Sequence, residues 1–158
     1  MIEFALTGED IDTGAWRERL SDVTCGGYAA FEGWVRDHNE GQRVLRLEYQ
    51  VYETLAMSEG RKILDEAIGK FGVTGAACVH RHGGLELGDV AVWVGVTAPH
   101  RDEAFKACRY IIDEVKVRLP IWKKEHYVSG DSGWVNCERC AEHGHDHRDP
   151  EEAVRASG

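Results

Sequence analysis

The sequence predicts one α+β domain with a mixed or antiparallel sheet and about three helices, and three observations carry that prediction. Apolar residues recur at the period of a sheet over residues 45–51 and at the period of a helix over residues 53–71, so both kinds of element occur in succession. Residues 90–97 are almost wholly apolar, as in a central strand covered on both faces. Strand and helix patterns keep alternating along residues 1–140 with no repeat and no long linker, which leaves no boundary at which to divide them.

Taken in order, residues 2–6 form a short apolar strand. Ile11, Ala15, Trp16 and Leu20 then share one helical stripe behind Asp10, whose carboxylate suits the cap of a first turn. Residues 25–36 open on Gly26 and Gly27 and read as a strand. Leu45, Leu47, Tyr49 and Val51 alternate with Arg46, Glu48 and Gln50, the pattern of a strand with one face in water. Ala56, Ile63, Leu64, Ala67, Ile68 and Phe71 align on a helix that Gly72 ends. Residues 73–81 and 90–97 are strands joined by a Gly-rich turn over 82–89. A third helix runs from about His100 to Arg118, with Ala104, Phe105, Cys108, Ile111, Ile112 and Val115 inward. Pro120 forces its end, because proline lacks the amide hydrogen and excludes the helical conformation at the residue before it. Residues 121–128 make the last strand and residues 129–133 a turn before Trp134. From Ala141 onward apolar residues nearly vanish, so residues 141–158 are expected to be a polar, His-rich, flexible tail.

The composition excludes several classes. With 158 residues, 42% hydrophobic and 30% charged, the chain has the make-up of a folded protein rather than a disordered one. Its net charge of −9 argues against a nucleic-acid binder, which needs basic surface to neutralise phosphates. No stretch approaches the roughly 18 apolar residues of a membrane span, and the first ten residues lack a basic-then-apolar leader pattern, so a cytoplasmic protein off the membrane is expected. The cysteines number 5, an odd count, and Cys25, Cys78 and Cys108 lie in apolar segments, which fits reduced, buried thiols.

Four local patterns carry chemistry. At Thr97-Ala98-Pro99-His100-Arg101 an apolar strand gives way to a helix whose free amides and dipole already favour an anion, and His100 and Arg101 add positive charge there. A plainer reading pairs Arg101 with Asp102 or Glu103 and leaves His100 as a cap. Residues 100–124 are net positive within an acidic chain. In that stretch Lys116, near the helix's apolar stripe, and Lys123, on the following strand, can face one pocket across Pro120. Two neighbouring ammoniums lower each other's pKa and make one available for proton transfer; the plainer reading is two solvated lysines. Arg36 ends a strand and can fork onto a phosphate or lie on a planar heterocycle, or simply be exposed. Cys137, Cys140, His143, His145 and His147 have zinc-like spacing, with opportunistic binding by a loose tail as the plainer account. No metal or cofactor is assigned.

These residues resemble the catalytic, large-subunit family of molybdopterin synthase over roughly residues 24–135. The resemblance rests on Gly-Trp-Val-Arg-Asp-His-Asn (33–39), Leu-Glu-Tyr (47–49), Val-His-Arg-His-Gly (79–83), Ala-Pro-His-Arg-Asp-Glu-Ala-Phe (98–105) and Lys-Val-Arg-Leu-Pro-Ile-Trp-Lys-Lys-Glu (116–125), all in the family's order. It implies an α/β hammerhead fold and a homodimer whose protomers each receive the C-terminal Gly-Gly thiocarboxylate of a small ubiquitin-like sulfur carrier, giving a heterotetramer. It implies transfer of sulfur to cyclic pyranopterin monophosphate to form molybdopterin, a step of molybdenum cofactor biosynthesis. It also implies roles for matching residues: Lys116 and Lys123 as the essential lysines, Arg36, His100 and Arg101 as substrate-binding cations, and Phe31 as the pocket aromatic. The family's late arginine falls at Glu138, with Arg139 one step on. Two other readings remain open here: a non-catalytic module that docks a ubiquitin-like partner and holds zinc in its tail, and an unrelated phosphate-binding enzyme.

Overall fold

The computed structural model describes residues 1–130 and 132–136. The chain runs β1 (Ile2–Thr7), α1 (Thr13–Leu20), β2 (Gly27–Trp34), β3 (His38–Asn39), β4 (Gln42–Val51), α2 (Glu53–Phe71), β5 (Gly75–Arg81), β6 (Gly83–Glu86), β7 (Val90–Ala98), α3 (Arg101–Arg118), β8 (Ile121–Tyr127) and β9 (Ser132–Asn136). The α+β expectation with three helices holds. Among the described residues only β1 and β5 pair in parallel; the remaining pairings are antiparallel, and the strands form two sheets.

The first sheet has the order β1-β5-β7-β2. Its residues alternate between two cores, as the pleat requires. Cys78 and Val94 join Phe4, Ile63, Leu64 and Ile111 beneath α2 and α3, while Ala77, Val79 and Trp93 pack with Leu20 and Trp16 of α1 on the opposite face. The second sheet has the order β3-β4-β8-β9, with β6 on the edge of β4 away from β8. Val35, Leu47, Leu85 and Ala91 form the buried cluster that ties the two sheets together. Among the described residues no helix is long and apolar enough to cross a membrane.

Several local expectations are corrected. Asp12, not Asp10, caps α1: its Oδ1 accepts from Ala15 N at 3.0 Å, three residues on, as capping geometry demands, while Asp10 pairs with Arg81. β2 stops at Trp34, so Arg36 lies beyond the strand. Leu45 is exposed rather than inward, because the β4–β8 register shifts between Val44 and Arg46 and the extra residue hands the inward position to Val44. The Gly-rich stretch after β5 contains β6. Phe105 is 64% exposed, since the inward stripe of α3 is Ala104, Ala107, Cys108, Ile111, Ile112 and Val115 and residue 105 sits about 100° off it. Cys25 lies in the turn before β2 and is half-buried, unlike Cys78 and Cys108. Residues 129–133 are only partly a turn, because β9 begins at Ser132. The β3–β4 hairpin, which no sequence period signalled, turns at Glu40 and Gly41 with φ of 49° and 78°, the pair of positive values that matches the twist of the strands. The Cys/His tail and Glu138 and Arg139 lie outside the described residues.

Candidate active site

α3 ends where the sequence says it must. Leu119 is extended, Pro120 follows, and the Pro120 carbonyl accepts from Tyr52 N at 3.1 Å, so the chain reverses into β8 against the start of α2. On β8, alternation puts Ile121, Lys123, Glu125 and Tyr127 on one face and Trp122, Lys124 and His126 on the other. Lys124 lies over the Trp134 ring, its Nζ 5.4 Å from the centroid. Lys123 therefore faces Lys116, which stands in the last turn of α3, across a cleft of about 190 Å³ that Arg36 also lines. The cleft is apolar beneath, with Leu47, Ile112, Val115, Leu119 and Ile121.

The structure gives Lys123 a partner. Its Nζ is 3.0 Å from Oε1 of Glu125, a carboxylate only 5% exposed that also accepts from Asn39 Nδ2 at 3.1 and 3.0 Å and from the Tyr127 hydroxyl at 2.7 Å. Burial alone would raise the Glu125 pKa, but the Lys123 charge and these donors outweigh it and hold the carboxyl below its ordinary value of 4.5. Its own burial, and then its hydrogen bond to Glu125, push the Tyr127 hydroxyl up to about 12. Lys123 is thus an oriented ammonium with hydrogens left to give, instead of one member of an isolated lysine pair.

His80 lines the same cleft and is buried. Burial, with the charges of Lys116 and His82, pushes its pKa down to about 4 against the pull of the Arg81 carbonyl, so the ring is neutral at physiological pH. That carbonyl accepts from Nδ1 at 2.7 Å, which fixes the hydrogen on Nδ1 and leaves Nε2 as an acceptor. Tyr49 packs against the ring edge-on, 5.0 Å between centroids.

The six expected site residues divide. Lys116, Lys123 and Arg36 converge on the cleft; Phe31, His100 and Arg101 do not line it. His100 is the N-cap of α3, as the plainer reading has it, though it makes no side-chain capping bond; Asp102 pairs with Lys106 at 2.9 Å instead, and Arg101 has no ion pair among the described residues. The start of α3 is held hard against β2: a Cβ on Gly27 would lie 2.9 Å from the His100 carbonyl. Glu125, Asn39 and His80 were not singled out from sequence as site residues. Alternation from Lys123 could have placed Glu125; nothing local marks the other two. Cys78 and Cys108 are poor nucleophiles, since burial raises Cys78 above its ordinary pKa and pushes Cys108 up to about 11. Among the described residues no cluster could hold a metal ion.

A cleft lined by apolar side chains and by Lys116, Lys123 and Arg36, with no cysteine among its lining residues, is the equipment of a group-transfer enzyme that receives an anion and moves protons at it. The chain belongs to the MoaE protein family, whose model matches residues 6–118. It is 45% identical over 139 residues to the molybdopterin synthase catalytic subunit of Synechococcus elongatus, covering 86% of this chain and 83% of that one. To the same-named subunit of Pyrococcus abyssi it is 42% identical over 120 residues, covering 76% and 80%. The crystal structure of molybdopterin synthase from Staphylococcus aureus superposes with a TM-score of 0.78 at 35% identity, over 82% of this chain and 94% of that chain. The fold recurs in the complex of subunits 1 and 2 of molybdopterin-converting factor from Helicobacter pylori, with a TM-score of 0.66 at 21% identity, over 83% of this chain and 87% of that one.

Proposed function

We propose that this chain is the catalytic subunit of a molybdopterin synthase. It takes sulfur from the C-terminal Gly-Gly thiocarboxylate of a small ubiquitin-like partner and transfers it to cyclic pyranopterin monophosphate, twice over, to build the dithiolene of molybdopterin. The observation that carries this reading is the convergence of Lys116, Lys123 and Arg36 on one cleft in a chain of net charge −9. Both reactants are anions, and the cleft concentrates the positive charge that would draw them in. As the carrier's sulfur bonds to a substrate carbon, the C–O bond at that carbon breaks and Lys116 protonates the departing oxygen; water then cleaves the acyl–sulfur bond, leaving the sulfur on the substrate and the carrier as its carboxylate. Lys123, oriented by Glu125, stabilises the oxyanion, and Arg36 grips an anionic group of the substrate. The raised thiols support a partner-borne sulfur, and free cysteines fit a cytosolic setting.

Helix geometry supports a dimeric site. Arg101 is the first residue of α3 and Lys116 stands in its last turn, about 22 Å away at the usual rise. A phosphorylated pterin cannot span that distance. For both ends of α3 to serve one site, His100 and Arg101 of one protomer must grip the phosphate beside Lys116, Lys123 and Arg36 of the other, with Phe31 near the shared pocket, and a two-fold dimer would make two such sites.

The test is reconstitution of the purified protein with a thiocarboxylated partner and the cyclic pterin. Lys116→Ala is expected to abolish product while leaving the fold and partner affinity nearly intact, because a half-exposed lysine at a helix end adds little stability. Near-normal turnover would overturn the catalytic assignment, and loss of partner binding in equal measure would make the cleft a docking surface instead.

A further inference from the structure

Arg36 and Glu125 bear opposite charges on one cleft, and a guanidinium within reach of a buried carboxylate ordinarily closes onto it as a bidentate pair. Here the side chain of Asn39 stands between them. Its Oδ1 accepts from Arg36 Nη2 at 3.3 Å, and its Nδ2 donates to both Glu125 oxygens at 3.1 and 3.0 Å. Only this orientation of the amide serves both neighbours, since the reverse would set an acceptor against the carboxylate and a donor against the guanidinium. The backbone fixes the amide in place: Asn39 is the last residue of β3, paired with Gln42 across the Glu40-Gly41 turn.

We propose that Asn39 is a positioning residue of the cleft, a neutral bridge that keeps Arg36 from being neutralised by Glu125. Resting on the reading of the cleft as the pterin site, it assigns two consequences to one amide. Among the described residues Arg36 is held by one long bond, to Asn39 at 3.3 Å, so the rest of its fork stays available to the substrate's anionic group. Glu125 has its lone pairs filled by Asn39, Tyr127 and Lys123, so it stays with the lysine whose ammonium it orients. Without the amide, Arg36 would swing onto Glu125, and the cleft would lose an anion-binding cation while every charged residue remained in the chain.

The test is a double-mutant cycle in the reconstituted enzyme with saturating thiocarboxylated partner, reading KM for the cyclic pterin and kcat separately. Asn39→Ala is expected to raise KM about tenfold, the size of one lost charge-assisted contact, with kcat changed much less. In an Arg36→Ala background the same substitution should change KM less than about twofold, because the residue it protects is gone. Asn39→Asp, which keeps the side chain's size and serves if the alanine variant folds poorly, should raise KM at least as much by pairing with Arg36 and repelling Glu125. An equal cost of Asn39→Ala in both backgrounds, or no cost in the first, would overturn the proposal, since a merely structural hairpin residue behaves that way. An Arg36→Ala protein with unchanged KM would instead overturn the reading of the cleft, and the role of Asn39 with it.

Discussion

Substituting His80 by Gln should flatten the pH dependence of stability on the acid side of neutrality. Folding weakens this imidazole's hold on a proton, so below its ordinary pKa of 6.5 the unfolded chain takes up a proton that the folded protein refuses until about pH 4. Stability from this group is therefore present above 6.5 and is lost progressively as the pH falls toward 4. Linkage over the interval from pH 7 to pH 5 makes the loss about 2 kcal/mol. Glu125 does not confuse that window: its carboxyl lies below 4.5, so the stability it contributes is lost only at lower pH, as the pH falls through its own depressed pKa. The assay is urea unfolding of wild type and His80→Gln at pH 7 and pH 5, at one fixed protein concentration so that any self-association contributes equally to both. At an m-value of about 2 kcal/mol/M the wild-type midpoint should drop by about 1 M more than that of the variant. Equal drops in the two proteins would refute the assignment of a neutral, buried His80 facing the cleft's cations.

Gly60→Ala should destabilise the fold by about 1–3 kcal/mol despite the better helix propensity of Ala, because the added Cβ would lie 2.4 Å from the ring of Phe4, which is buried and must give way; thermal or urea unfolding checks it, and an unchanged midpoint would contradict the packing. Lys123→Ala should remove most product formation and, by leaving Glu125 buried without its counter-ion, raise the pKa of that carboxyl; a pH titration of the Glu125 carboxyl by NMR that shows no upward shift would contradict the pairing.

What could be read from the sequence differed by kind of residue. α2 was legible to the residue, because an unbroken apolar stripe ended on Gly72, whose φ of 67° is the left-handed stop that glycine makes easily. The meeting of Lys116 and Lys123 was legible too, since Pro120 must reverse the chain between them. The strands β3 and β6 were not, because two and four residues are too few to show a period. Leu45 misled for a related reason: a bulge displaces one residue without altering composition. Glu125 follows two lysines and looks like ordinary surface charge until the hairpin brings Asn39 over it. His80 lies in a strand buried at every position, where alternation vanishes and nothing local separates a cleft-facing histidine from a core one.

The central claim is that the cleft of one protomer works with the helix start of another, and subunit complementation tests it most directly. Arg101→Ala and Lys116→Ala proteins, each inactive alone, are mixed and allowed to exchange protomers. A mixed dimer then carries one intact composite pocket and one doubly defective pocket, so activity should return to at most about half that of wild type per mixed dimer. Heterodimers that form and remain inactive would contradict the claim, and would mean that both residues act within one chain or that Arg101 has no part in the site.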